Sequence, residues 1–113
     1  MNEKQNLLIE KSIINIKTCK DTLEKISSTC CMPIRSKKMQ DTFNSLDRLD
    51  SQLKSADKEL ISNSIVEIEM CGSQIGKLYV SCCTDKREPL YQIFLKTLNE
   101  THTNIHKMMG TSH

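Results

Sequence analysis

The residues with the most evident chemistry are six cysteines, Cys19, Cys30, Cys31, Cys71, Cys82 and Cys83, in a chain of 113 residues. They form two identical sets, each a single cysteine followed eleven positions later by an adjacent pair. Thiolates are soft ligands suited to Cu(I) and Zn(II), so four or more converging thiols define a candidate metal site. Structural zinc sites favour a C-x2-4-C spacing, whereas here the paired cysteines are adjacent, and neighbouring helical residues point about 100° apart. That geometry suits the lower coordination numbers of Cu(I) better than the tetrahedron of Zn(II). Arg35 and Arg87 follow the two pairs, with Lys37, Lys38 and Lys86 nearby, and would offset thiolate charge.

Two other thiol chemistries compete. One is redox sensing by disulfide formation, which the negative end of a helix dipole would oppose by raising the thiol pKa. The other is intermolecular bridging through Cys31 and Cys83. The simplest alternative treats the cysteines as small buried hydrophobes, a common role of the free residue.

The elements that must position these thiols emerge from a self-comparison. A shift of 52 residues superposes Cys19, Cys30 and Cys31 on Cys71, Cys82 and Cys83, and the rest follows without a gap. Residues 2–53 against 54–105 share 12 identities, among them Leu8/Leu60, Ile9/Ile61, Ser12/Ser64, Ile16/Ile68, Arg35/Arg87, Gln40/Gln92 and Leu46/Leu98. Each half reads as two helices. Ile9, Ile13, Ile16, Cys19, Leu23, Ile26 and Cys30 recur at steps of three and four, and their counterparts from Ile61 to Cys82 do the same. Pro33 stops the first helix near Cys31. The second stripe is Met39, Phe43, Leu46, either Leu49 or Asp50, and Leu53; the fourth is Leu90, Phe94, Leu98, Ile105 and Met109. Ser55 or Asp57 can cap the third helix, Asp85 with Glu88 resembles a capping box for the fourth, and Gly110 can close it.

Short links make sequential helices antiparallel neighbours. The expected fold is all-α: one domain spanning 1–113, an antiparallel up-down-up-down four-helix bundle built from a tandem-duplicated helical hairpin. The first and third helices then run parallel across a diagonal. Cys30, Cys31, Cys82 and Cys83 share one end, and Cys19 and Cys71 form an inner layer about three turns, roughly 16 Å, below.

Composition removes several functional classes. The net charge is +2, from 16 basic and 14 acidic residues, and the four aromatic residues include no Trp; neither value points to nucleic acid. No apolar run approaches the roughly 18 residues of a membrane span, and the polar N-terminal stretch lacks a signal-peptide apolar region. The expected location is the cytoplasm, where a high cysteine count signals thiol or metal chemistry rather than a disulfide framework. Glycine-rich phosphate loops and the Glu-x-x-His motifs of di-iron bundles are absent from the sequence, and no catalytic arrangement is legible. His102 and His106 have the i, i+4 spacing of two ligands on one helix face, but fall at the end away from the cysteine pairs and read as a solvent-facing pair. Met32, Met39, Met70, Met108 and Met109 read as core fillers.

One asymmetry separates the halves. Gly72 and Gly76 stand where the first half has Lys20 and Glu24, and Tyr79 and Val80 replace Ser27 and Ser28. A smoother third helix is a candidate interface, centred on Gly72, Gly76 and Tyr79, for a homodimer or another partner. The leading expectation is a non-enzymatic bundle binding Cu(I), or less readily Zn(II), through Cys30, Cys31, Cys82 and Cys83 with Cys19 and Cys71 behind them. The alternative is an interaction or assembly bundle whose cysteines are structural. The outline is similar to that of small cysteine-lined four-helix copper-storage proteins; those carry more cysteines, commonly in a CxxxC spacing that this chain lacks.

Overall fold

The computed structural model describes residues 3–29, 37–55, 57–81 and 88–110. Those residues form four helices, α1 (Glu3–Thr29), α2 (Lys37–Lys54), α3 (Lys58–Ser81) and α4 (Glu88–Met109), with no strand among them. The chain is an all-helical bundle. α1 packs most extensively on α4 and α2 on α3, while α1 with α2 and α3 with α4 complete the four sides. No Cα atom of α1 comes within 8 Å of one in α3 among the described residues, so these two helices face each other across a diagonal.

Local signals set the helix ends. The Asp57 carboxylate accepts hydrogen bonds from the backbone N–H groups of Glu59 and Leu60, at 2.9 and 3.4 Å. Of the two capping candidates it is therefore Asp57 that caps α3. Ser55 instead shapes the link, donating its hydroxyl to the Gln52 carbonyl and accepting from the Asp57 N–H. Replacement of Asp57 by Ala is expected to destabilise the protein by about 1 kcal/mol, read as a lower urea midpoint with an unchanged slope. At the other end of the chain Gly110 takes a left-handed conformation, φ 78°, and its N–H reaches the Lys107 carbonyl at 3.2 Å. This is the expected C-terminal glycine stop. The capping pair expected at Asp85 and Glu88, and the end of the first helix near Cys31, involve positions outside the described residues.

Burial repeats with the same 52-residue offset as the cysteines. On α1 and α3 the buried pairs are Ile9/Ile61, Ser12/Ser64, Ile16/Ile68, Cys19/Cys71, Leu23/Ile75 and Ile26/Leu78. On α2 and α4 they are Met39/Tyr91, Thr42/Phe94, Leu46/Leu98, Leu49/Thr101 and Leu53/Ile105. Several of these pairs share no residue type, yet each occupies the same phase of its helix. Buried hydroxyls are satisfied locally: Ser12 donates to the Leu8 carbonyl, Thr22 to Thr18 and Thr101 to Thr97.

The structure resolves one alternative in the expected stripes and corrects them in two further places. Leu49, not Asp50, enters the core, and Asp50 pairs with Lys54 at 2.9 Å. On α4 the fully inward residues are Tyr91 and Met108, while Leu90 and Met109 are half-buried. In this phase the Tyr91 ring packs edge-on to Tyr79 of α3, with centroids 5.3 Å apart. Ile13 and Ile65 also sit at the margin of the core rather than within it.

Candidate thiol site

Of the six cysteines, Cys19 and Cys71 lie within the described residues; Cys30, Cys31, Cys82 and Cys83 lie outside them, as do Arg35, Lys86 and Arg87. Cys19 on α1 and Cys71 on α3 are both at 0 % exposure. Their level along the bundle is fixed from α2. Lys20, next to Cys19, pairs with Asp47 at 2.6 Å, and Arg48 pairs with Glu67, one turn before Cys71, at 2.6 Å. Adjacent residues of α2 therefore bracket both cysteines, which belong to the same layer.

Electrostatics in this layer favour neutral thiols. Burial pushes the Cys19 thiol far above its ordinary value, and the proximity of Cys71 adds to the effect. Burial first, and then the Glu67 carboxylate, with the Arg48 guanidinium opposing, push Cys71 up to about 12. The two environments differ. The Cys19 Sγ–H lies 3.8 Å from the Phe94 carbonyl oxygen in an apolar setting. Cys71 adjoins a polar seam in which Arg48 Nε donates to Glu67, Arg48 Nη2 donates to the Ser45 hydroxyl at 3.1 Å, and that hydroxyl donates to Gln74 at 3.0 Å. Periodicity and spacing do not single out Arg48, Glu67 or Ser45. Glu67 carries a signal, standing four residues before Cys71 on the same helix face, but Arg48 comes from another helix and its approach is a tertiary fact.

The diagonal spacing decides what the inner pair can do. A disulfide requires Cα atoms about 4.4–6.8 Å apart. Cys19 and Cys71 belong to helices whose Cα atoms stay beyond 8 Å. The folded bundle cannot oxidise this pair to a disulfide without moving its backbone. Nor do other ligands join them: among the described residues no group of three or more His, Cys, Asp or Glu side chains is arranged to hold a metal.

The remaining candidates fall elsewhere. His102 and His106 are half-buried rather than solvent-facing, with rings 4.5 Å apart in an edge arrangement and His102 Nε2 3.7 Å from the Glu69 carboxylate. Gly72 is half-buried, and a Cβ there would meet Leu98 at 3.7 Å, an ordinary contact; Gly76 is exposed with nothing within 4 Å. The expected outward pair of glycines is thus one glycine toward α4 and one on the surface. Tyr79 is also turned inward, half-buried against Tyr91 and within 3.3 Å of Glu88. No helix is long and apolar enough to cross a membrane among the described residues.

Comparison with known proteins returned nothing: no family model matches the chain, and neither a curated protein nor a solved structure matches it.

Proposed function

We propose that this protein is a non-enzymatic bundle that binds a soft metal ion, Cu(I) in preference to Zn(II), through repeated cysteine thiolates. In this reading the four helices run antiparallel, up-down-up-down, and arose by duplication of one hairpin. The single observation that carries the proposal is the coincidence of two repeats: the cysteine triplets recur at the offset at which the buried positions recur, and both described cysteines are fully buried at matched places. The helix order is supported by contacts that run in opposite senses along neighbours, Gln5 to Met108 and Cys19 to Phe94, Ser45 to Gln74 and Arg48 to Glu67. On that arrangement Cys30, Cys31, Cys82 and Cys83 converge at one end, with Cys19 and Cys71 as the inner layer. The compartment it requires is a reducing one such as the cytoplasm.

The test is anaerobic titration of the reduced protein with Cu(I) and Zn(II) against a competing chelator, counting reactive thiols before and after. Saturable Cu(I) uptake that protects at least four thiols is expected, and Cys31→Ala with Cys83→Ala should remove most of it. Six thiols with no uptake would reject the metal function.

A second reading has its own observation. α3 exposes Val66 at 58 %, Met70 at 48 % and Val80 at 81 %, a face suited to self-association or another partner. Gly76→Glu is the clean probe, because Gly76 is exposed with nothing within 4 Å, whereas Gly72 is half-buried beside Leu98. A concentration-dependent dimer seen by sedimentation and lost in Gly76→Glu would favour assembly as the function.

A further inference from the structure

We propose that the groove between α1 and α4 is a docking site for an acidic amphipathic helix of a partner protein. This function is separate from the thiol chemistry proposed above and uses a different face from the exposed residues of α3.

The groove has a volume of about 920 Å³ and is lined wholly by α1 and α4. Along α4 it runs from Gln92 to Lys107, about four turns or roughly 22 Å, and it is open to solvent. Ile14, 64 % exposed, and Leu95, 37 % exposed, supply its apolar surface. Lys11, Lys96 and Lys107 supply positive charge against one carboxylate, Glu100. Among the described residues none of these three lysines forms an ion pair.

The opposite face of the bundle provides an internal control. At the 52-residue offset the three lysines correspond to Asn63, Asn44 and Ser55, none of them charged. Leu95 corresponds to Phe43, which is only 8 % exposed. Asn15 and Glu100 correspond to Glu67 and Arg48, whose ion pair at 2.6 Å ties α2 to α3. The α2–α3 face is thus crossed by an ion pair and buries its aromatic ring. The corresponding face of α1 and α4 lacks that tie, keeps an accessible leucine and gains three cations. Such a groove matches an apolar stripe flanked by carboxylates.

Shape and charge select the occupant. A small ligand in so open a groove would leave much of its surface in water, unlike one in an enclosed pocket. A helix about 10–12 Å across and roughly 15 residues long spans the lined length of α4. It can set aliphatic side chains against Ile14 and Leu95 and carboxylates near the lysines, the helix-in-groove mode of recognition. Asp47, Asp50, Glu67 and Glu69 of this chain already face basic partners, which favours a separate protein over a second copy.

The test titrates the full, reduced chain with three synthetic helices of roughly 15 residues. The first has leucines at steps of three and four flanked by glutamates; the second has lysines for the glutamates, and the third glutamines for the leucines. The first should bind saturably, one per chain, weaken as salt is added, and shift backbone NMR resonances of α1 and α4. The other two should bind at least about tenfold more weakly. Lys96→Glu with Lys107→Glu should lower affinity for the first about tenfold or more, as should Ile14→Gln with Leu95→Gln. All four side chains are exposed, and far-UV circular dichroism checks that each variant is folded. Lys37→Glu with Lys58→Glu, the same charge change on α2 and α3, should leave affinity unchanged. No saturable binding of the acidic helix, undiminished binding by the Lys96→Glu, Lys107→Glu variant, or shifts confined to α2 and α3 would overturn the docking site. Adsorption to phosphatidylserine vesicles without peptide binding would make the groove a membrane-facing surface and overturn it equally. A dimer formed through α1 and α4 would replace the partner by a second copy.

Discussion

Raising the pH from 8 to 10 is expected to cost this protein about 3 kcal/mol of folding stability, through Cys19 and Cys71 alone. Both thiols have folded-state values far above the ordinary 9.0, chiefly because burial penalises the thiolate. The sign follows from proton binding. Above about pH 9 the unfolded chain releases these two protons while the folded chain retains them, so stability falls as pH rises; below that range both states are protonated and nothing is lost. Each thiol contributes a slope of about 1.4 kcal/mol per pH unit once the unfolded form is ionised. A small domain holds only about 5–15 kcal/mol in total, so the effect is large. Urea unfolding at pH 8 and pH 10 measures it. The Cys19→Ala, Cys71→Ala variant, with the same lysines and tyrosines, should have a much flatter alkaline limb. Parallel limbs in the two proteins would mean that the buried thiols are not the cause.

Replacing Phe94 by Ala is expected to destabilise the bundle by about 3–5 kcal/mol, whereas the same truncation of the adjacent Leu95 should cost under about 1 kcal/mol. Phe94 is fully buried on α4 and Leu95 is 37 % exposed. The truncation falls at the level of Cys19, whose thiol lies against the Phe94 backbone carbonyl. Faster alkylation of Cys19 should therefore accompany the loss of stability, while Leu95→Ala leaves the thiol protected. Equal unfolding midpoints for the two variants would contradict the rotation of α4 described above. The comparison also bears on the repeat, because the counterparts in α2 are Thr42 and Phe43, and both are buried. Small Thr42 stands where large Phe94 stands, and Phe43 fills from the neighbouring position.

Strong periodicity makes the helices and most of their inward faces legible in the residue order. Isoleucine, leucine and cysteine at steps of three and four leave one low-energy way to bury each of α1 and α3. The pattern misleads where neighbouring residues are equally apolar, at Leu90 against Tyr91 and Met108 against Met109. Hydrophobicity there does not discriminate between adjacent phases, so the packed bundle decides: Tyr91 lies edge-on to Tyr79 and Met108 is buried. Buried Thr42, Ser45 and Thr101 escape the pattern for a related reason. Small polar residues are tolerated inside when a carbonyl or a neighbour satisfies the hydroxyl, and that partner is not written in the local pattern. Gly72 likewise reads as outward from its counterpart Lys20, yet it is half-buried and the Leu98 side chain of α4 reaches it.

Residue order alone makes legible the 52-residue recurrence of residue types, the four helical segments, the stop at Gly110 and the inward placement of Cys19 and Cys71, and narrows the cap of α3 to Ser55 or Asp57. Each of these depends on residue types within a turn or two, or on a pattern compared with its own copy. Everything that depends on distance between helices is settled by the packed bundle instead. Packing brings Arg48 and Glu67 to Cys71, leaves Cys19 beside a backbone carbonyl, and sets α1 and α3 beyond disulfide range. Those outcomes follow from how four cylinders of side chains fill a common core, a property of all the residues together that no single segment encodes.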